Sequence, residues 1–192
     1  MKTAASVILL FLAFISAFSQ CKDKSLTAGT TAIEKMALLQ DEYKAKRYKE
    51  AKRPFNWLVA NTPSINTSLY IMGAEIYDAL AKSELNEKIK RVYIDSLMLV
   101  YDLRLKNCGE EANVTNRKAL SFFYYNYDDK VRSKEVLPLM DKAVDLNGEK
   151  ILGGLAENYM KAVKISADKK MPPESEILDR YEKISSIIDA KM

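Results

Sequence analysis

From residue 31 onward, apolar side chains return every three or four positions, the period of a helix that buries one face. Ile33, Met36, Leu39 and Tyr43 mark the first such stripe. Thr31 and Glu34 stand at the spacing of a capping box, which predicts a helix start near Thr31. Lys46 and Arg47 break the pattern as a turn, and Tyr48, Ala51, Phe55 and Leu58 begin it again. This second helix stops before Asn61-Thr62-Pro63, and Pro54 is expected in its first turns, where a missing amide hydrogen costs little. The stretch Tyr43 to Pro63 therefore predicts two helices folded back on each other.

The same alternation continues to the far end. Leu69, Met72, Gly73, Ile76 and Tyr77 predict a helix from about Asn66. Ser83-Glu84-Leu85-Asn86 leads into a long helix carrying Ile89, Tyr93, Leu97, Val100 and Tyr101 and running to about Lys106. Gly109 supplies a C-terminal glycine signal for it. A further pair begins near Asn113, with Leu120, Phe123, Tyr124 and Tyr127 as core positions, a turn at Asp128-Asp129, and Val136, Met140 and Ala143 beyond it. Asn147-Gly148 ends that pair. The last pair joins the stripe Leu152, Leu155, Tyr159 and Val163, through Pro172-Pro173, to Ile177, Tyr181, Ile184 and Ile188. For the apolar stripe of this last helix two readings stay open: Lys183, Asp189 and Lys191 give it a polar outer face, or the chain is the front of a longer array.

Composition agrees with helices. The 192 residues include only 6 Gly and 5 Pro, too few for many short strands and turns. Charge is spread rather than clustered: 30 basic and 26 acidic side chains give a net +4, without the concentrated basic face of a nucleic-acid binder.

Before the helices, MKTAASVILLFLAFISAFSQ has a basic n-region at Lys2, an apolar run from Val7 to Ile15 and small residues at Ala17 and Ser19. This is the pattern of a secretory signal peptide and is too short for a membrane span. The expected organisation is a signal peptide over 1–19, a flexible leader over 20–30 and a helical domain over 31–192. No transmembrane segment is expected in the mature chain. Cys21 follows the apolar run at the distance of a lipoprotein cysteine, yet Gln20 departs from the small residue usual before it. Three fates stay open for Cys21: a lipid anchor, a disulfide to Cys108, or a free thiol, and an oxidising envelope permits the second.

Tyr48-x-x-Ala51-x-x-x-Phe55-x-x-Leu58, closed by Pro63, resembles the second helix of a tetratricopeptide repeat. Gly73 stands at that family's close-contact glycine, while Lys35 and Leu39 replace its usual Trp and Gly. The phrases NTPSINTSLYIMGAEIY, YIDSLMLVYDLRLKNCGEEA and VTNRKALSFFYYNY are similar to exported cell-envelope members of the family in Gram-negative bacteria. The resemblance implies an all-α, right-handed solenoid of about four degenerate helical hairpins, in the periplasm or at the outer membrane. It also implies a concave groove, formed by the first helices, that receives a protein or peptide partner. By position the groove residues are Gln40, Tyr43 and Lys44 from the first unit, Tyr70, Tyr77 and Asp78 from the second, and Ser121, Tyr125 and Asp129 from the third.

Catalysis is not expected. Histidine is absent, which removes the commonest general base and the commonest metal ligand. Cys108 therefore has no imidazole to activate it. Glu110-Glu111 and Asp128-Asp129 read as solvated helix-end residues rather than metal ligands. No cofactor motif or metal motif is present. The expected role is a non-catalytic interaction scaffold or adaptor. The alternative is a Cys21-anchored accessory protein binding a small ligand or glycan, because aromatic side chains also stack on sugars.

Overall fold

The structure is a computed structural model, and it describes residues 21, 28–151, 153–170 and 173–190. The expected signal segment, most of the leader, Leu152 and Pro172 lie outside the described residues. The described chain is all-helical: α1 (Thr30–Lys44), α2 (Tyr48–Asn61), α3 (Thr67–Ser83), α4 (Glu87–Cys108), α5 (Glu111–Asn126), α6 (Ser133–Asn147), α7 (Gly153–Asp168) and α8 (Glu174–Asp189). Among the described residues there is no strand, and a short 3-10 turn at Gly148–Lys150 joins α6 to α7. Each helix packs on its neighbours in sequence, and α1 also touches α3 as α5 touches α7. Among the described residues no helix is long and apolar enough to cross a membrane.

Helix ends follow local chemistry. Asn66 and Asn86 accept hydrogen bonds from backbone amides of the first turns of α3 and α4. Gly109 and Gly148 end α4 and α6 with φ of 78° and 50°, a region that glycine enters without a Cβ penalty. Two expectations fail at the ends. Gly29, with φ 84°, takes the cap position of α1 and no side chain caps it, so Thr31 lies inside the helix and the capping box with Glu34 does not form. Pro54 sits well inside α2, which already starts at Tyr48. Its ring nitrogen therefore cannot donate to the Glu50 carbonyl one turn earlier. The α2 face that holds Pro54 is buried, so packing offsets the missing bond.

The core runs the length of the molecule. Leu39, Ala51, Leu58, Leu69, Ile76, Leu97, Met140, Leu155, Tyr159 and Ile184 are fully buried. Close packing of α2 on α3 depends on Gly73, because a methyl group there would lie 2.2 Å from the buried Phe55 ring. Phe55 in turn meets the Tyr77 ring edge-on at 5.9 Å. On α5 the buried face is Val114, Thr115, Ala119, Phe122, Phe123 and Asn126. This corrects the expected core positions, since Tyr124 and Tyr127 are exposed. The true stripe is set by residues such as Asn126, whose polar side chain hid it: its amide donates to the Phe122 carbonyl and its oxygen accepts from Arg91.

Cys21 and Cys108 form a disulfide. The bond ties the segment before α1 to the end of α4, and Cys108 is buried beneath it. A thioether to lipid would consume the same Cys21 sulfur, so a disulfide and a lipid anchor exclude each other in any one molecule.

Candidate functional site

A cavity of about 340 Å³ opens between α3 and α5, both of which pack on α4. Helical periodicity places Ile71, Ala74, Glu75, Asp78 and Lys82 on one face of α3, and Arg117, Leu120, Ser121 and Tyr124 on one face of α5. Tyr101 and Arg104 of α4 supply the remainder of the wall. The wall thus alternates apolar, aromatic and charged side chains.

Most of its polar groups are held in place by neighbours. The Tyr125 hydroxyl donates to the Asp78 carboxylate at 2.8 Å, and Lys82 donates to the same carboxylate at 2.7 Å. The Lys82 ammonium also lies 5.5 Å from the centre of the Tyr124 ring, which meets Tyr125 edge-on. Tyr101 and Ser121 share a hydroxyl hydrogen bond of 3.0 Å. Arg104 is buried and donates twice to Glu110, at 2.6 and 3.2 Å. Arg117 differs from the other two lining cations. Its partner is the neutral amide oxygen of Asn113, and among the described residues no carboxylate pairs with it.

The expected groove residues divide into three groups. Asp78 and Ser121 line the cavity, Tyr125 reaches it through Asp78, and Tyr43 reaches it by donating its hydroxyl to Glu75. Gln40 and Lys44 are exposed on α1, outside the cavity lining. Tyr70, Tyr77 and Asp129 are corrections. Tyr70 is fully buried, donates to the Pro63 carbonyl and accepts from Asn107, so it fastens α3 to α4 and to the turn that joins it to α2. Tyr77 is buried against Phe55 and donates to Asn56. Asp129 caps the turn before α6: it accepts the amides of Val131 and Arg132 and pairs with Arg91. Those two backbone hydrogen bonds, strongest first from Arg132, hold its carboxyl below the usual aspartate range. Sequence spacing missed Glu75, Lys82, Tyr101, Arg104, Arg117 and Tyr124. The one usable signal was the face shared by Asp78 with Glu75 and Lys82 at helical spacing.

Several tyrosines here are poor acids. The hydrogen bond to Glu75, helped by burial, pushes the Tyr43 hydroxyl up to about 12. Burial alone pushes Tyr70 up to about 12, partly offset by the amide of Asn107. Burial, then the Asp78 carboxylate, raises Tyr125 further. In the unfolded chain these hydroxyls ionise near 10, so the fold favours their neutral form. Stability is therefore expected to hold below about pH 10 and to fall as pH rises from about 10 to 12, as the unfolded state loses protons first. Thermal unfolding followed across that range checks this. A melting temperature that stays flat while tyrosinate absorbance rises would contradict the hydroxyl bonds described.

Among the described residues no group of three His, Cys, Asp or Glu side chains is placed to hold a metal ion. No family model matches the chain, and neither a curated protein nor a solved structure matches it.

Proposed function

We propose that this protein is an exported, non-catalytic adaptor of a bacterial cell envelope. The eight helices of the described residues are read as four tetratricopeptide-like hairpins stacked in a solenoid, α1/α2 to α7/α8. The cavity between α3 and α5 receives a segment of a partner protein. Sequential packing of helices and the close Phe55–Gly73 contact support the architecture. The signal-like segment before Cys21 and a disulfide, a bond favoured in oxidising compartments, support export.

One observation carries the binding role: side chains from three helices converge on a cavity whose charged groups are already oriented by hydrogen bonds, with Arg117 left without a carboxylate among the described residues. Pre-oriented groups lower the ordering cost of association. Tyr101 and Tyr124 supply flat amphipathic surface, and Arg117 pairs with an acidic group of the bound segment. Arg117 rather than Asp78 orients the segment, because Asp78 is already satisfied by Tyr125 and Lys82.

A partner captured from envelope extract and then purified provides the test. Tyr124→Ala combined with Arg117→Ala should weaken its binding at least about tenfold with the melting temperature unchanged, since both side chains are exposed. Unaltered affinity of the double variant would sink this reading. The cavity volume also falls in the range of small-molecule sites, which favours a ligand or glycan reading second. A glycan that raises the melting temperature of the native protein, but not of the double variant, would select it.

A further inference from the structure

A second cavity, of about 650 Å³, lies between α4, α5 and α6 and shares no lining residue with the first. Its floor is apolar, made by Met98 of α4, Phe122 of α5 and Leu139 of α6, with the exposed Pro138 ring beside them. Charged side chains stand at its two ends. Arg132, Lys134 and Glu135 hold one end, and Lys142 lies about 12 Å further along α6 by helical rise. The end of α6 lies beside the start of α5, where Asn147 donates to the Ala112 carbonyl. The two helices are therefore antiparallel, which places Lys118 of α5 at the Lys142 end.

The two ends differ in what their charges already hold. Lys118 is paired with Asp102 at 2.5 Å and Lys142 with Glu111 at 2.9 Å, so that end is neutral. At the other end Arg132 gives one amino group to Asp95, and among the described residues its Nε and second amino group donate to nothing. Lys134 and Glu135 have no ion pair among the described residues. Lys134 also lies in the first turn of α6, where the helix dipole opposes a cation, so helix stability does not explain it. One end thus offers an uncommitted ammonium, spare guanidinium donors and an uncommitted carboxylate, next to an apolar floor. We propose that this cavity binds a single-chain lipid with a zwitterionic phosphoethanolamine headgroup. The acyl chain lies on Met98, Phe122 and Leu139, where leaving water favours it. The phosphate meets Lys134 and the spare donors of Arg132, and the ammonium meets Glu135. An anionic headgroup would bring a second negative charge to Glu135, and a cationic one would oppose Lys134 and Arg132. The paired lysines at the far end leave no charge for a second headgroup. The volume is that of a small-molecule site, below what two full acyl chains fill. Because the two cavities share no lining residue, this site stands whether or not the partner-binding reading does.

Calorimetric titration of the purified, disulfide-intact protein with lauroyl lysophosphatidylethanolamine, kept below its micelle concentration, tests the proposal. Saturable binding at one site is expected. Lauroyl lysophosphatidylglycerol has the same chain and phosphate but no amine, and should bind at least about tenfold more weakly. Lys134→Glu should weaken both lipids at least about tenfold, and Glu135→Lys should reverse the preference between them. Both positions are exposed, so neither variant should lower the melting temperature. Absence of saturable binding overturns the proposal. So does equal affinity for the two lipids, or a preference that Glu135→Lys leaves in place. Binding that survives Lys134→Glu but is lost when Arg117 and Tyr124 become alanine would place the lipid in the first cavity, and overturns it as well.

Discussion

Replacing Phe55 by alanine is expected to destabilise the protein by about 3–5 kcal/mol, the range for removing a buried aromatic ring. Phe55 is 3% exposed, lies against Gly73 and meets Tyr77 edge-on. Nothing small can fill the space it leaves. Gly73 contributes no side chain, and Tyr77 is tethered by its hydroxyl to Asn56. The gain in helix propensity from Phe to Ala offsets about 0.5 kcal/mol at most. Because α2 and α3 meet at this ring, its loss loosens α1 and α2 from the rest of the fold. Urea unfolding followed by circular dichroism measures the effect. A loss below about 1 kcal/mol would mean that the ring does not fill the α2–α3 junction.

Breaking the Cys21–Cys108 bond should cost about 2–4 kcal/mol, the usual contribution of a disulfide that closes a long loop. The two cysteines are 87 positions apart, so the bond restricts most of the first four helices in the unfolded chain. Ordering the segment around Cys21 opposes this gain, which keeps the expectation within the ordinary range. Cys21→Ser is the cleaner variant, since it leaves Cys108 as a buried thiol in its native place. The variant should melt at the same temperature with and without reductant, and the native protein should fall to that value once reduced. A native protein indifferent to reductant would argue that Cys21 is engaged otherwise. An intact-mass measurement then distinguishes a free thiol from a thioether-linked lipid.

The α-helical class was legible because it depends on local periodicity. Each apolar stripe from Ile33 to Ile188 reports the helical repeat directly, and the turn glycines Gly109 and Gly148 lie where a left-handed backbone is required. Boundaries were less legible where two local signals competed. At the start of α1 the backbone of Gly29 displaced the expected threonine cap. In α2 the expected start at Tyr48 holds, and it leaves Pro54 inside the helix rather than in an opening turn where the missing amide hydrogen costs little.

Site residues were legible only in part, and the tyrosines show why. Tyr70, Tyr77, Tyr124 and Tyr125 share one chemistry and similar positions on the first helices of their pairs. Yet the first two are buried, with hydroxyls bonded to Pro63 and Asn56, while Tyr124 stands exposed at the cavity. A phenol suits either surroundings, so residue type cannot choose between them. The rotation of each helix about its own axis chooses, and that rotation is fixed by its neighbours.

By itself, then, the sequence determined the helical class of the described chain, the order and approximate lengths of its helices, and the glycines at which two of them end. Those features arise from interactions within a few residues of backbone. Only the tertiary structure decided that Cys21 joins Cys108, that Asp129 caps a turn, and that Arg117, Tyr124 and Asp78 face one cavity. These are pairings between groups far apart in sequence, and packing of one helix on the next is what brings them within reach.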